Sequence, residues 1–221
     1  MKFKTVVVLC SIVLLSAATV GAFGLPNVLS GAASSSADPD AFLAKAQKAE
    51  LLIDRSAGAL FSAVASKEQQ AKVEELQKKL NDTTDNKEKE ALTQEIRKSK
   101  MAAIEERAQD KKYQAEAAKY DAKKKAYIAT AFYNFTLGSL KAAELVPEGA
   151  SIADSIRSNP ANAARLAIKL NSVVNALSSL KGIVVNTGKV ISALKPLMSA
   201  AKIEAKPATS SSEGEKDLKD L

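Results

Sequence analysis

The sequence predicts an all-α fold, an elongated antiparallel bundle or coiled coil of three long helices. Ala, Lys, Glu, Leu and Gln dominate long stretches, and 221 residues contain only nine Gly and six Pro, a composition suited to helices rather than to strands and turns. Apolar residues recur at alternating steps of four and three, the spacing that keeps them on one helical face. Asp38-Pro39 and Asn159-Pro160 each offer a capping side chain followed by proline in the first turn.

The chain opens with Lys2 and Lys4, then the uncharged run Thr5 to Val20, then Gly21 and Ala22. That order is the one found in secretory signal peptides. Cleavage is expected after Ala22, with Ser16-Ala17-Ala18 as a second site, and residues 1–22 are read as the signal. The competing reading is an uncleaved anchor, because no charge stands between Lys4 and Asp38. The dense apolar run is, however, shorter than the ~20 residues a span requires. Cys10 lies inside the apolar region with Leu9 before it, a poor match to a lipoprotein site. Its loss with the signal leaves an exported chain without cysteine, periplasmic or extracellular, that relies on helix packing rather than on disulfides. Removing residues 1–22 takes two lysines from the net charge of +7 and leaves +5.

Residues 23–37 read as a flexible leader. A first helix is expected over 38–80, carried by Phe42, Ala46, Ala49, Ile53, Leu60 and Val64 and resumed by Val73, Leu76 and Leu80. Ser66 with Gln69 has the spacing of a capping box that divides this segment, but the good helix formers around it favour one helix. The six poor helix formers Asn81 to Asn86 mark a turn, and Asp85 caps a second helix with Glu88 at its third position. This second helix is expected over 87–146, ending at Pro147-Glu148-Gly149. The first and second helices are read as an antiparallel hairpin whose charged tip projects beyond the third. Between Lys67 and Lys125 stand 16 basic and 13 acidic residues among 59, the composition of a solvated arm. Glu68/Lys72, Glu74/Lys78, Glu75/Lys79 and Asp121/Lys125 follow the favourable acid-first order.

After a short helical turn near Ser151 to Arg157, a third helix is expected over 160–203. Leu166, Leu170, Val173, Leu177, Leu180, Val184, Thr187, Ile191, Leu194 and Met198 form its stripe, widened by Ile183, Val190 and Leu197. Pro196 is expected to kink its last turns. Residues 204–221, rich in Ser, Glu and Lys, read as a disordered tail.

The absence of His and the single Cys remove the commonest general base, the commonest metal ligand and any internal disulfide. No catalytic set, cofactor or metal is predicted. Gly182 to Lys189 fails as a phosphate loop, having one residue too many between its glycines and Val190 where Ser or Thr is required. Asn81 to Glu90 lacks the central Gly and the oxygen spacing of a calcium loop. Tyr113, Tyr120 and Tyr127, seven residues apart, form an aromatic edge with packed ring bodies and hydroxyls reaching water. Core packing outweighs a ligand platform there, and Lys123 to Lys125 read as solvated. Asn81-Asp82-Thr83 and Asn134-Phe135-Thr136 match the glycosylation acceptor pattern, awkwardly at Asn134 if that face is buried.

The third helix carries no acid between Asn159 and Ile203. Lys181, Lys195 and Lys202 recur at one heptad position beside Leu177, Val184 and Ile191, the layout of a partner-binding or membrane face. The expected function is non-enzymatic: an exported structural or interaction protein of the cell envelope that presents a coiled-coil surface to a protein partner or to itself. The alternative is a lipid-associating or membrane-perturbing protein acting on an anionic membrane surface through helix 160–203. A further alternative is a periplasmic holdase-type chaperone. Nucleic acid is not an expected partner, because the charge surplus is modest and no recognition motif accompanies it.

Overall fold

Five side-chain oxygens that accept backbone amides set where the helices of this chain begin. Asp38 accepts from Asp40, Ser66 from Gln69, Asp85 from Glu88, Asp110 from Lys112 and Tyr113, and Asp121 from Lys124. Each acceptor satisfies amides that have no partner within their own helix. In the computed structural model, which describes residues 38–158 and 160–218 but not the side chains of 160–166, the result is six helices. They are α1 (Pro39–Val64), α2 (Lys67–Asp82), α3 (Asn86–Gln109), α4 (Lys111–Ala117), α5 (Ala122–Ser158) and α6 (Pro160–Ala201), with no strand among the described residues. The expected signal peptide, the leader, the Asn159 cap and the side chain of Leu166 lie outside the described residues.

Two of the three expected long helices are divided. The first ends at Val64, where the capping box forms in full: Ser66 N–H donates to Gln69 Oε1 at 2.9 Å and Gln69 N–H to Ser66 Oγ at 3.3 Å. The chain then reverses. α2 pairs antiparallel with α3, joined by Gln69 to Glu106, and buries Val73 and Leu76. The reversal prevails because a continued helix would carry those two residues away from any apolar neighbour. The second helix is interrupted at Asp110 and again before Asp121, and α4 turns aside to pack on α6.

The contacts fix helix directions. Asp54 meets Arg97 and Val64 meets Arg107, a constant offset that sets α1 and α3 parallel. α6 runs the same way, since Lys169 bonds Asp40 near the start of α1 and Ser179 bonds Arg97 further along. α5 runs antiparallel to α1, with Phe42 against Gly149 and Ile53 against Gly138. α3 therefore lies alongside α1 with α2 packed on α3, and α3 shares a cleft with α6 from Glu90 onward. This corrects the expected hairpin tip projecting beyond the third helix.

α5 passes through Pro147 without ending, contrary to expectation. An internal proline costs about 3 kcal/mol. Ile152 and Ile156 beyond it are buried, and at about 1.5–3 kcal/mol for each buried aliphatic the continuation offsets that cost. At Gly138 a Cβ would lie 2.6 Å from Ile53 Cγ1, and at Gly149 it would lie 2.5 Å from Phe42 Cζ. The two glycines thus admit Phe42 and Ile53 of α1.

α6 likewise runs through Pro196. It ends in a Schellman turn, with Lys202 N–H donating to Ser199 O, Ile203 N–H to Met198 O, and Lys202 at φ 53°. Residues 202–218 then return along α5 and are held there: Ala208 is buried and Leu218 packs against the core. This replaces the disordered tail expected over 204–221, as far as the described residues reach. Its cause is a row of polar side chains on α5 that bonds the returning backbone.

Candidate functional site

α6 is the helix from which a partner or membrane face was expected, and its burial pattern sorts the predicted residues. Val173, Leu180, Thr187 and Leu194 are fully buried at seven-residue intervals, with Ile183, Val190 and Leu197 buried beside them. Leu177, Val184 and Ile191 lie at the half-buried rim, the latter two packed against the core. The buried arc is wide because α6 has α5 on one flank and α3 on another. Thr187, the one polar member of the stripe, bonds Ser139 of α5 at 2.7 Å. Lys181, Lys195 and Lys202 are exposed along the flank. On the outer side, Ile168 is 83% and Val185 61% exposed, the two most solvent-facing large aliphatics described.

The tyrosines do not form one helical edge. Tyr113 is buried on α4, Tyr120 lies in the turn before α5, and Tyr127 is half-buried on α5. The break at residues 118–121 separates them. The first two rings still meet edge to face, with centroids 6.3 Å apart. Their hydroxyls turn inward rather than to water: Tyr120 donates to Tyr113, and Tyr113 donates to Ala63 O. Burial, reinforced by the Tyr120 hydroxyl, pushes the Tyr113 phenol far above its usual range against the opposing charge of Arg107. Arg107 stacks on the Tyr113 ring at 3.8 Å and bonds Val64 O and Asp110. Lys124 sits over Tyr120 at 4.0 Å, and burial lowers its ammonium against the pull of Asp121. Together these groups form a structural corner that closes the ends of α1, α3 and α4.

Sequence reasoning missed Arg97. Its guanidinium forks onto Asp54 with bonds of 2.6 and 2.7 Å, reaches Glu50 at 3.5 Å and touches Ser179, joining α1, α3 and α6. The signal available was an arginine inside the buried register of Leu92, Ile96 and Met101. Beside it an open cleft of about 280 Å³ runs between α3 and α6, lined by Gln94, Lys98, Asn175, Ser178 and Asn186. These groups donate and accept hydrogen bonds, which suits contact with a polar chain.

The second missed feature is the polar row on α5. Asn134 is fully buried, and both ends of its amide engage the backbone of Lys216: Nδ2–H donates to Lys216 O at 2.7 Å, and Oδ1 accepts from Lys216 N–H at 2.9 Å. Thr136 Oγ1 accepts Ala208 N–H at 2.8 Å. Lys141 donates to Ser211 O. Tyr133 donates to Glu213 Oε2 at 2.9 Å, and Lys216 lies over the Tyr133 ring at 3.7 Å. Glu213 also accepts the amides of Thr209 and Ser210 and the Thr209 hydroxyl. The Thr209 amide first, then Tyr133 and the Ser210 amide, hold its carboxyl down at about 2. Asn134 is thus closed off as a glycosylation acceptor. The clue in the sequence was the pair Asn134 and Thr136 inside the apolar run Ala131 to Leu137, since buried polar groups require partners. The chain matches no family model, no curated protein and no solved structure.

Proposed function

We infer that this chain is a non-enzymatic, exported structural or interaction protein of the cell envelope. Its helices act as a bundle that presents a coiled-coil surface to a protein partner or to itself. The observation that supports this is the outer face of α6. Ile168 and Val185 lie about five turns apart on one side of that helix. Exposed small or polar residues, Ser172, Asn175, Ser178 and Gly182, stand between them, the last three on the rim of the cleft with α3. Small side chains let a second helix approach closely, and the two aliphatics supply apolar anchors. Lys181 and Lys189, on a helix without acids, favour an acidic partner face.

A photo-cross-linking side chain at Val185 of the full chain tests this in the producing cell. A discrete protein adduct is expected, either a second copy or another polypeptide. Absence of any protein adduct would reject the reading. The exposed row Lys181, Lys195 and Lys202 favours anionic-membrane association as the second reading. Converting all three to Gln separates the two. Three interfacial lysines at about 1 kcal/mol each amount to roughly two orders of magnitude in liposome affinity. The interaction reading expects no change.

A further inference from the structure

The segment after α6 is bound to the bundle in the manner of a peptide ligand. Asn134, Thr136 and Lys141 all bond to its backbone, at Lys216, Ala208 and Ser211. They read an extended chain irrespective of most side chains. Two further contacts supply selectivity. Ala208 is buried in a small apolar cluster with Leu52, Tyr133, Leu137 and Leu140, a place that favours a small apolar residue. Glu213 sets its carboxylate on the Tyr133 hydroxyl while closing its own turn through Thr209 and Ser210. The groove therefore suits a segment that enters extended at a small residue and then turns to present a carboxylate five positions on.

All of these groove residues come from α1 and α5. The same bonds can form with residues 208–218 of any copy of the chain. What ties the segment to its own groove is the hinge, and the hinge has an alternative conformation. Lys202 is the only non-glycine residue with positive φ among the described residues, a conformation L-residues adopt at a cost. Lys202-Ile203-Glu204-Ala205-Lys206 are mostly good helix formers, and Pro207 follows. If α6 continued through Lys206, Lys202 would return to right-handed helix, Ile203 would give up its buried place, and the segment would be carried away from its own α5.

We propose that the α5 groove is a docking site for the C-terminal segment of a second copy, so that two chains exchange residues 208–218 reciprocally. This rests on the interaction reading above and names the partner. Reciprocal exchange restores every groove contact in both copies, so only the hinge and the association entropy distinguish monomer from dimer.

The test uses two batches of full-length chain, both carrying Cys10→Ser. One bears a donor dye on Asp217→Cys and the other an acceptor dye on Glu144→Cys. They are mixed at about 0.5 mM, approaching the effective concentration of a short tether, warmed, and analysed by sedimentation and energy transfer. A dimer with transfer between copies is expected. Lys202→Gly, which removes the left-handed penalty by about fivefold per hinge, should lower the dimerisation constant roughly 25-fold, because each dimer opens two hinges. Asn134→Ala loses the same contacts in both forms and should leave the dimerisation constant unchanged while the helical circular dichroism is retained. The proposal is overturned if the parent shows no transfer, or if Lys202→Gly leaves the dimerisation constant unchanged. A dimer without transfer also overturns it, while leaving association through α6, and so the interaction reading itself, intact.

Discussion

Arg97 shows how a single residue ties three helices, and the energetics of its partners are asymmetric. Its side chain is 12% exposed against 36% for Asp54, so removing the aspartate leaves a charge that water barely reaches with only the longer ion pair to Glu50. Asp54→Ala should cost about 1–3 kcal/mol. Arg97→Met, of similar reach and without charge, should cost less because the two carboxylates it leaves, Asp54 and Glu50, are both more exposed than the guanidinium. Urea unfolding of both variants checks the order, and equal losses would mean the fork contributes little beyond packing. Glu213 gives the returning segment an acid-side pH dependence. Its carboxyl is held at about 2 from an ordinary 4.5, so its support for the returning segment is complete above 4.5 and is lost as pH falls through 2. Tyr133 bounds the other side: its hydrogen bond to Glu213 raises the phenol, so that contact is complete below pH 10 and fails only as pH rises through the elevated value. Following the Lys216 amide resonance against pH should give an acid midpoint near 2. A midpoint near 4.5 would show that Glu213 is not bonded as described.

At the scale of elements, α1 and α5 are matched by two glycines that do what no larger residue can. A Cβ at Gly149 would meet the Phe42 ring at 2.5 Å, whereas one at Gly182 on the outer face of α6 would meet nothing within 4 Å. Alanine in a helix gains up to about 1 kcal/mol over glycine, while forcing an extra carbon into a filled core costs about 1–3 kcal/mol. Gly182→Ala should therefore raise the unfolding midpoint and Gly149→Ala should lower it. Phe42→Leu should recover part of the loss at Gly149, a coupling that a double-mutant cycle measures. These elements also show what was legible beforehand. The α6 boundaries, the start of α1 and the Asp85 cap followed from local chemistry, because caps and periodicity act within a few residues. The reversal at Ser66 was written as a capping box and outweighed by helix propensity, a term worth tenths of a kcal/mol per residue. The caps at Asp110 and Asp121 form inside a stretch read as one continuous helix, because no Gly or Pro stands beside them. The passage through Pro147 was not visible, because it depends on what Ile152 and Ile156 meet in space. Nor was the anchoring of residues 202–218, whose composition signalled disorder while their partners lay on α5.

For the whole molecule, α6 shows which parts of the apolar pattern are core. Leu180 and Leu194 are fully buried, and Ile191 lies at the rim. Leu180→Asp or Leu194→Asp should cost several kcal/mol and unfold the protein with no membrane present. Ile191→Asp should leave a folded protein with a lower melting temperature. Far-UV circular dichroism with a thermal melt distinguishes these outcomes, and a fully folded Leu180→Asp variant would contradict the packing of α6. The pairing of α1 with α5 has a further consequence, in time rather than in energy. Phe42 and Ile53 find their places only when Gly149 and Gly138 arrive, and a chain of roughly a hundred intervening residues must first be made, a separation that slows folding. The α2–α3 hairpin, whose contacts are local, can close long before that. During synthesis α1 waits with its apolar side uncovered, a nascent state prone to aggregation that gives a chaperone its longest opportunity to bind.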